Sequence, residues 1–345
     1  MLAKRMRAAV LHGVGDLRVE EVPVPEIGAD EVLVRVRACG ICASDIHYVE
    51  HGHIGRYVVS APMILGHEAA GEVVAVGDAV RSLAVGQRVA LEPGVACGRC
   101  RMCKRGRYNL CPDVRFFATP PVDGAMAEYA VLRADFAHPI PASVTDRQAA
   151  LAEPLAVGIH AVRQGSISLG DVVLVQGGGP VGLLTAAAAR AAGAVVVVTD
   201  LFPVRRRAAE ALGAVASGVD NEEVAAALHA LGAPDGADVV IDTSGNRRAV
   251  AQAHERARRG GTVVLVGLPE DDAVTYHVTE IVDRELTIRG VFRYANAFPS
   301  ALRLLVDHGV SYEGIITHDL PLGDAVAAVD LARTQRDRAI KVLVC

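Results

Sequence analysis

Four cysteines are grouped closely enough to bind one metal ion. They are Cys97, Cys100, Cys103 and Cys111, with the spacing C-x2-C-x2-C-x7-C. Zn²⁺ accepts four thiolates in tetrahedral geometry, and spacings this short let one loop provide them all. The loop is basic and poor in apolar residues, so it cannot fold on a core of its own, and its cations favour ionised thiols. We predict a structural zinc lobe over residues 94–113; two disulfides or an iron–sulfur cluster are less favoured alternatives.

A second set of residues could hold a catalytic metal ion. Cys42 lies upstream of the adjacent pair His67 and Glu68. A catalytic zinc needs three protein ligands and one open position. No cysteine follows the cage until the last residue, so a carboxylate must complete the site, and Glu68 and Glu153 are the candidates. Asp45 is expected to hold the other ring nitrogen of His67.

Cys39 stands in a Cys-x-x-Cys spacing with Cys42, which is itself a ligand or redox spacing. In an extended strand the two side chains would face differently, and the helix context of a thioredoxin-like site is missing. We therefore expect Cys39 to be a buried, small apolar residue.

A glycine-rich run, Gly177-Gly178-Gly179-Pro180-Val181-Gly182, fits the pattern G-x-G-x-x-G. It follows a predicted strand and opens a predicted helix, and this context makes the pattern specific for a dinucleotide. Gly177 allows a tight turn, Gly179 lets the backbone approach a pyrophosphate, and Gly182 lets the helix pack closely on the strand. Pro180 suits the first helical position, and the free N–H groups that follow can meet the phosphates.

Asp200, at the end of the next predicted strand, indicates which dinucleotide is bound. Its carboxylate can accept both hydroxyls of the adenosine ribose and would repel a 2′-phosphate, so NAD is favoured over NADP. Arg205 is expected against the adenine. We expect Arg206 and Arg207 on a solvated helix face, although three adjacent arginines could also hold a phosphate.

Composition limits the classes of function. The chain has 345 residues and is 51% hydrophobic, so it is long and apolar enough to form two domains. Its net charge of −5 does not favour nucleic acid as a partner. Its most apolar stretch, Val181 to Val198, is broken by Arg190 and Gly193 and indicates helix plus strand, so no membrane partner is expected. Without an apolar signal region at the start, a cytoplasmic location is predicted.

Hydrophobic periodicity divides the chain near Ala150. The first part alternates with period two and is rich in Gly and Pro, which indicates an irregular β-barrel-like domain. The second part alternates strands with helices, which predicts a parallel sheet covered on both faces. Its predicted strands are 171–175, 195–199, 238–242, 261–267 and 286–291, and its helices are 181–192, one from 203, one from 247 and one at 298–308. A last strand at 340–344 is expected to return to the first domain.

Together these residues resemble the zinc-dependent medium-chain dehydrogenases, in the polyol (sorbitol/xylitol) dehydrogenase branch, over essentially the whole chain. The segments that carry the resemblance are 42–48, 50–55, 66–68, 116–124, 153–160 and 291–294. The resemblance implies an α/β protein. A GroES-like β-rich catalytic domain would span residues 1–152, a Rossmann domain with a doubly wound parallel sheet 153–292, and a C-terminal return 293–345.

The resemblance also implies roles for individual residues. A catalytic zinc would sit on Cys42, His67 and Glu68, with Glu153 beside it, ligating directly or through water. Ser44 would contact the reacting hydroxyl and His47 the nicotinamide ribose. The residues implied to line the substrate pocket are Tyr48, Phe116, Thr119, Arg293 and Tyr294.

The activity implied is transfer of hydride from a secondary hydroxyl of a sugar alcohol to NAD, giving a ketose. Such enzymes are tetramers or dimers, and this chain would hold one catalytic and one structural zinc. Butanediol, threonine and other secondary-alcohol dehydrogenases share the general plan. A zinc-independent quinone reductase lacks the ligand set, and an inactive structural or binding protein on the same fold is the non-enzymatic alternative.

Overall fold

The computed structural model describes residues 4–269, 273–306, 312 and 314–345. The chain forms two compact units, Met1–Glu153 with Ile316–Cys345, and Pro154–Ile315. This division groups residues 293–315 with the second unit, whereas the resemblance implied that they belong to the C-terminal return. They include a helix at Phe298–Val306 that buries Phe298 and Leu302 among its apolar residues.

Short strands make up most of the first unit. The strands of its N-terminal part are β1 (Arg5–Gly13), β2 (Asp16–Pro23), β3 (Glu31–Gly40), β4 (His53–Ile54), β5 (Tyr57–Val58), β6 (Met63–Ile64), β7 (Glu68–Val76), β8 (Arg88–Leu91), β9 (Gly94–Val95), β10 (Arg115–Phe116), β11 (Tyr129–Arg133) and β12 (Ala137–Pro139). The helices in this part are α1 (Ala43–His51), α2 (Arg101–Lys104) and α3 (Asp146–Ala150), with 3₁₀ turns at Tyr108–Leu110 and Ala134–Phe136.

The rest of the chain alternates helices with strands. The helices are α4 (Ala152–Gly165), α5 (Pro180–Ala191), α6 (Pro203–Ala211), α7 (Asn221–Ala230), α8 (Arg247–Gln252), α9 (Val278–Asp283) and α10 (Phe298–Val306). The strands are β13 (Val172–Gln176), β14 (Val195–Thr199), β15 (Val215–Ser217), β16 (Ala237–Asp242), β17 (Ala257–Leu265) and β18 (Thr287–Gly290). The last segment contains β19 (Ile316–Leu320), a 3₁₀ turn (Leu322–Asp324), α11 (Ala325–Thr334) and β20 (Lys341–Val344).

The main sheet of the first unit combines strands from its N-terminal part with the two strands of the last segment, β19 and β20. Its strand order is β12-β8-β7-β3-β20-β19, and β11 also pairs with β3. Gly40, the last residue of β3, is opposite Glu68 on β7 and opposite Leu343 on β20. The predicted last strand therefore lies directly beside the strand that leads to Cys42. The core of this unit is mostly aliphatic, and Tyr48, Phe117 and Phe136 are buried aromatic residues in it.

The second unit contains the predicted doubly wound sheet. Its strand order is β15-β14-β13-β16-β17-β18, and every pair is parallel. β13 is buried along its whole length because both faces of the sheet are covered. The strand ends Gln176, Thr199 and Asp242 lie in one row, next to the point where the strand order reverses, which is where such sheets bind ligands.

The elements that were predicted in this unit have boundaries close to the predicted ones, except that β17 begins at Ala257, whereas the strand was predicted from 261. The helix predicted at 298–308 begins at Phe298 and is described to Val306; residues 307 and 308 lie outside the described part of the chain. Among the described residues, no helix combines the length and the apolar character that crossing a bilayer requires.

Candidate functional site

Asp45 positions the backbone on both sides of the predicted catalytic metal site. Cys42 immediately precedes α1, and its N–H donates to Asp45 Oδ2 at 2.9 Å. The N–H of Gly66, next to His67, donates to Asp45 Oδ1 at 3.0 Å. Asp45 is completely buried, which raises the pKa of its carboxyl group. One carboxylate thus ties together two chain segments that are distant in sequence.

The predicted contact between Asp45 and the ring of His67 is not a hydrogen bond. His67 Nδ1 lies 3.9 Å from Asp45 Oδ1, which is beyond hydrogen-bonding distance. The carboxylate oxygens are already occupied by the two backbone N–H groups. Asp45 therefore orients His67 through the backbone of Gly66 and through its charge.

The ligand atoms of Cys42, His67 and Glu68 all lie within 4.8 Å of one another. We call these three residues the open cluster. A thiol, an imidazole and a carboxylate match the donors that zinc prefers, so the cluster fits that ion. Burial, followed by the charge of Glu68, raises the pKa of Cys42 to about 11, so metal binding must displace the thiol proton. Glu153 is buried too, but among the described residues it is not part of this group.

Lys341 forms an ion pair with Glu68, and this lysine was not predicted as a site residue. Its Nζ donates to Glu68 Oε2 at 2.6 Å, to Glu68 Oε1 at 2.8 Å and to the carbonyl oxygen of Ile41 at 2.9 Å. Desolvation lowers the pKa of Lys341, but the charges of Glu68, Cys42 and Glu153 outweigh it and the pKa is raised. A lone lysine in the apolar run 340–344 was the available signal.

Of the other predicted site residues of the first unit, Ser44 and Phe116 lie next to the open cluster. The Ser44 hydroxyl hydrogen-bonds Cys42 and lowers its pKa, and the Phe116 ring lies 5.7 Å from the His67 ring. His47 packs on His51, with ring centroids 5.6 Å apart, and Tyr48 is buried. Thr119 is the remaining residue of the first unit that was predicted to line the substrate pocket. It forms an isolated antiparallel β-bridge with Val122. Arg293 and Tyr294 belong to the second unit, and their substrate role stays a prediction.

The cage cysteines also meet the geometric requirement for one metal ion. The four Sγ atoms of Cys97, Cys100, Cys103 and Cys111 lie within 4.8 Å of one another, and all the cysteines of the chain are free, so the disulfide alternative is wrong. The pKa of Cys97 is lowered to about 7, mainly because the backbone N–H groups of Arg99 and Cys100 donate hydrogen bonds to its sulfur. Burial raises the pKa of Cys103 to about 12. Thus backbone amides, rather than the basic side chains we expected, favour the Cys97 thiolate.

A buried carboxylate, Glu92, anchors the zinc lobe and was not identified from the sequence. Tyr108, within the lobe, donates its hydroxyl to Glu92 Oε1 at 2.6 Å. His138 Nε2 lies 2.8 Å from Glu92 Oε2, so both carboxylate oxygens are used. Arg133 Nη1 also donates to the carbonyl of Ala96, next to the first cage cysteine. These contacts attach the lobe to the β-sheet independently of the metal.

The glycine turn of the second unit has the shape that a dinucleotide requires. Gly177 has φ = +98°, and a Cβ atom at Gly182 would overlap the Gly177 carbonyl. No described atom lies within 4 Å of where a Cβ of Gly179 would be, so that side of the turn is open to a pyrophosphate. α5 begins at Pro180 with Gly179 as its N-cap. Val181 and Gly182 follow in its first turn, so the run fits the phosphates of NAD.

Asp200 is buried at the end of β14 and holds the turn. Its Oδ2 accepts the N–H of Gly178 at 2.7 Å and its Oδ1 accepts the N–H of Phe202 at 2.8 Å. Arg205 Nη1 lies 3.4 Å from Asp200 Oδ2. Arg206 is half-buried, and its guanidinium donates to the Asp200 carbonyl at 2.8 Å; Arg207 is exposed as expected. The site therefore places a carboxylate, not a free arginine cluster, next to the turn.

Comparison with known proteins identifies the family of the chain. Residues 28–142 match the alcohol dehydrogenase GroES-like domain, and residues 180–307 match the zinc-binding dehydrogenase domain. The sorbitol dehydrogenase of Bacillus subtilis (strain 168) is 44% identical over 343 residues, which cover 99% of this chain and 97% of that protein. The probable D-xylulose reductase A of Arthroderma otae is 42% identical over 97% of this chain and 96% of its own. A solved Escherichia coli oxidoreductase/dehydrogenase of unknown specificity is 35% identical with a TM-score of 0.93, covering 99% of each chain.

Proposed function

Because this chain belongs to the zinc-binding medium-chain alcohol dehydrogenases, we propose that it oxidises a secondary hydroxyl of a sugar alcohol to a ketone, with NAD as the hydride acceptor. The observation that carries this proposal is the presence of the open cluster in a chain that is 44% identical to a sorbitol dehydrogenase over 99% of its length. Sorbitol and xylitol are the first candidate substrates, and a ketose is the product.

Each residue of the first unit that was predicted to bind metal or to contact the reacting hydroxyl has a proposed role. When bound, zinc supplies a Lewis acid and NAD supplies the hydride acceptor. Cys42, His67 and Glu68 hold the metal, and Glu153 stands beside them as a further ligand, direct or through water. Ser44 Oγ contacts the reacting hydroxyl and can accept a hydrogen bond from it, while its own hydroxyl bonds Cys42. The four cage cysteines hold a second zinc that stabilises the lobe and takes no part in the reaction.

The remaining site residues bind substrate and cofactor. His47 contacts the nicotinamide ribose. Substrate hydroxyls are contacted by Tyr48, Phe116, Thr119, Arg293 and Tyr294. Gly177, Gly179, Pro180, Val181 and Gly182 bind the pyrophosphate, while Asp200 and Arg205 bind the adenosine. The negative charge of Asp200, held in place by two backbone N–H groups, favours NAD over NADP.

A panel of alcohols tests the function directly. The purified protein is assayed for NAD reduction with sorbitol, xylitol, ribitol, galactitol, 2,3-butanediol and threonine, and its metal content is measured. We expect about two zinc ions per chain and the highest kcat/KM with a polyol. A higher kcat/KM with butanediol or threonine would reassign the substrate class. No reduction with any alcohol, together with a single zinc, would leave only a non-enzymatic role.

The protein acts as a homotetramer or dimer in the cytoplasm. Strand β18 is the edge of its sheet, and all four of its residues are exposed. Exposed apolar side chains lie on this strand and on α9, which precedes it in the chain: Ile288 is 37% exposed, Val278 67% and Val282 66%. An unpaired edge with apolar neighbours favours pairing with a second copy of the chain.

Light scattering on the eluted protein tests the assembly. Ile288→Lys with Val282→Lys should lower the measured mass to that of the monomer, 36.1 kDa. Val58→Lys, at an apolar residue of the first unit that is 56% exposed, is the matched control and should leave the mass unchanged. Unchanged mass in the double variant would place the interface elsewhere.

A further inference from the structure

Lysine is rare in this chain, and one lysine is buried beside the open cluster. Of 35 Lys and Arg residues, the lysines are Lys4, Lys104 and Lys341. Lys4 and Lys104 are exposed, whereas Lys341 is 1% exposed. Burying an ammonium group is costly unless it is paired and hydrogen-bonded. Since arginine serves almost everywhere else, a lysine at this position indicates a requirement for a compact ammonium.

The contacts of Lys341 show what the ammonium does. Its three hydrogen bonds reach both carboxylate oxygens of Glu68 and the carbonyl of Ile41, the residue before Cys42. An ammonium has three donors, so the bonding capacity of Lys341 is completely used. Glu68 is itself 1% exposed, so water cannot stabilise its charge. The lysine therefore compensates a carboxylate that, without metal, would be a buried, uncompensated charge.

We propose that Lys341 is a positioning residue that acts as the counter-ion of Glu68 whenever the catalytic zinc is absent. It keeps the open cluster folded and ready for metal, and it lowers the affinity of the cluster for zinc because metal and ammonium compete for the same carboxylate. The proposal rests on the proposed function only in taking the open cluster as the zinc site.

A thermodynamic cycle gives the direction of the effect. Removing the ammonium from the metal-free protein leaves Glu68 buried and unpaired, which strongly destabilises that state. In the zinc-loaded protein the metal charge compensates Glu68, so the same removal destabilises it less. Zinc affinity reports the difference between these two states. Lys341→Met should therefore bind catalytic zinc more tightly, by about 10- to 100-fold.

The test measures zinc affinity and thermal unfolding rather than turnover. Lys341→Met and the wild-type protein are stripped of metal and titrated with zinc in competition with a chromophoric chelator. Cys42→Ser lacks a ligand of the open cluster and retains only the cage, so its titration gives the part of the zinc binding that is due to the cage. We expect tighter binding at the open cluster, an unchanged cage affinity, and a fall in unfolding temperature that is larger without zinc than with it. Lys4→Met, at an exposed lysine, should match the wild-type protein.

Other variants separate charge from packing. Lys341→Arg keeps the positive charge but not the compact ammonium, so its zinc affinity should lie between those of Lys341→Met and the wild-type protein. If Lys341→Met does not fold without metal, Glu68→Gln combined with Lys341→Met should fold, because no charge is then left unpaired. Failure of that double variant to fold, or a zinc affinity of Lys341→Met that is equal to or below the wild-type value, overturns the proposal. Two zinc ions in Cys42→Ser would instead refute the zinc site of the proposed function.

Discussion

Gly40 leaves the space that the Glu68 carboxylate occupies: a Cβ atom at residue 40 would overlap Glu68 Oε2. The two residues are opposite each other on β3 and β7. Glycine is needed at position 40 because the side chain of Glu68 comes so close. The backbone of Gly40 is not left-handed, so conformational freedom is not the reason. Any side chain at this position must move a residue of the open cluster.

Gly40→Ala should therefore disturb the catalytic metal and spare the cage. Its methyl group displaces the Glu68 carboxylate, and displaced groups around a metal site reduce affinity or activity by about 10- to 100-fold. Metal analysis after dialysis against a weak chelator should give one zinc per chain rather than two. Gly13→Ala is the matched control, because no described atom lies within 4 Å of its added Cβ. Two retained zinc ions in Gly40→Ala would contradict the placement of Glu68.

The two groups of cysteines should differ in what their loss affects. Cys42→Ser is expected to lower kcat by about 10³-fold or more while thermal unfolding of the protein changes little, because the Lewis acid is lost from the reaction site. Cys100→Ser should release the cage zinc and lower the unfolding temperature. Cys345→Ser removes an exposed thiol and should change neither property. Full turnover in metal-analysed Cys42→Ser would refute the role of the open cluster.

Asp200 should control the choice between NAD and NADP. Asp200→Ala removes the charge that repels a 2′-phosphate and frees Arg205, which lies 3.4 Å from the carboxylate. We expect NAD binding to weaken by about 10- to 100-fold and the ratio of NADP to NAD activity to rise. Asp200→Asn retains an oxygen acceptor for one backbone N–H, so it isolates the effect of charge. A cofactor ratio that is unchanged in both variants would exclude the predicted ribose contact.

Tyr108→Phe tests how the zinc lobe is attached. The variant loses the 2.6 Å hydrogen bond to Glu92 but keeps the ring that packs on Phe136. Chemical denaturation should show a loss of about 1–2 kcal/mol in the free energy of unfolding. The cage zinc should also pass to a chelator faster. Tyr57→Phe, in a half-buried tyrosine outside the lobe, is the control; equal stability of the two variants would show that Glu92 does not anchor the lobe.

Elements of the second unit could be predicted because their sequence pattern is local. The run Val195–Thr199 is apolar and bounded by turns, and the strand has those residues. Strand β15 and helices α4, α7 and α9 were not predicted. Val215–Ser217 is too short to show a period, only Val224 and Leu228 of α7 are buried, and α9 buries none of its residues. Short or sparsely buried elements are therefore hard to predict from hydrophobic periodicity, and α4, which is buried over most of its length, shows that a buried helix can be missed too.

The open cluster could be predicted residue by residue, but its neighbours could not. Cys42, His67 and Glu68 are ligand types in a recognisable context, whereas Lys341 is 273 residues from Glu68 along the chain. The contact exists because β20 pairs with β3, and a strand partner so distant cannot be read from hydrophobic periodicity. Glu92 was missed for the same reason, since its partner His138 lies on β12, which pairs with β8.

The position of β20 has a consequence for biosynthesis. All three residues of the open cluster leave the ribosome long before residue 341 is added, yet the strand that pairs beside them and the ammonium that neutralises Glu68 come from the last segment of the sequence. The second unit, continuous in the chain, can fold during translation. The first unit must hold an unfinished sheet until the late segment arrives, so a translation product that stops before residue 341 would expose an open strand edge and an unneutralised carboxylate to cellular quality control.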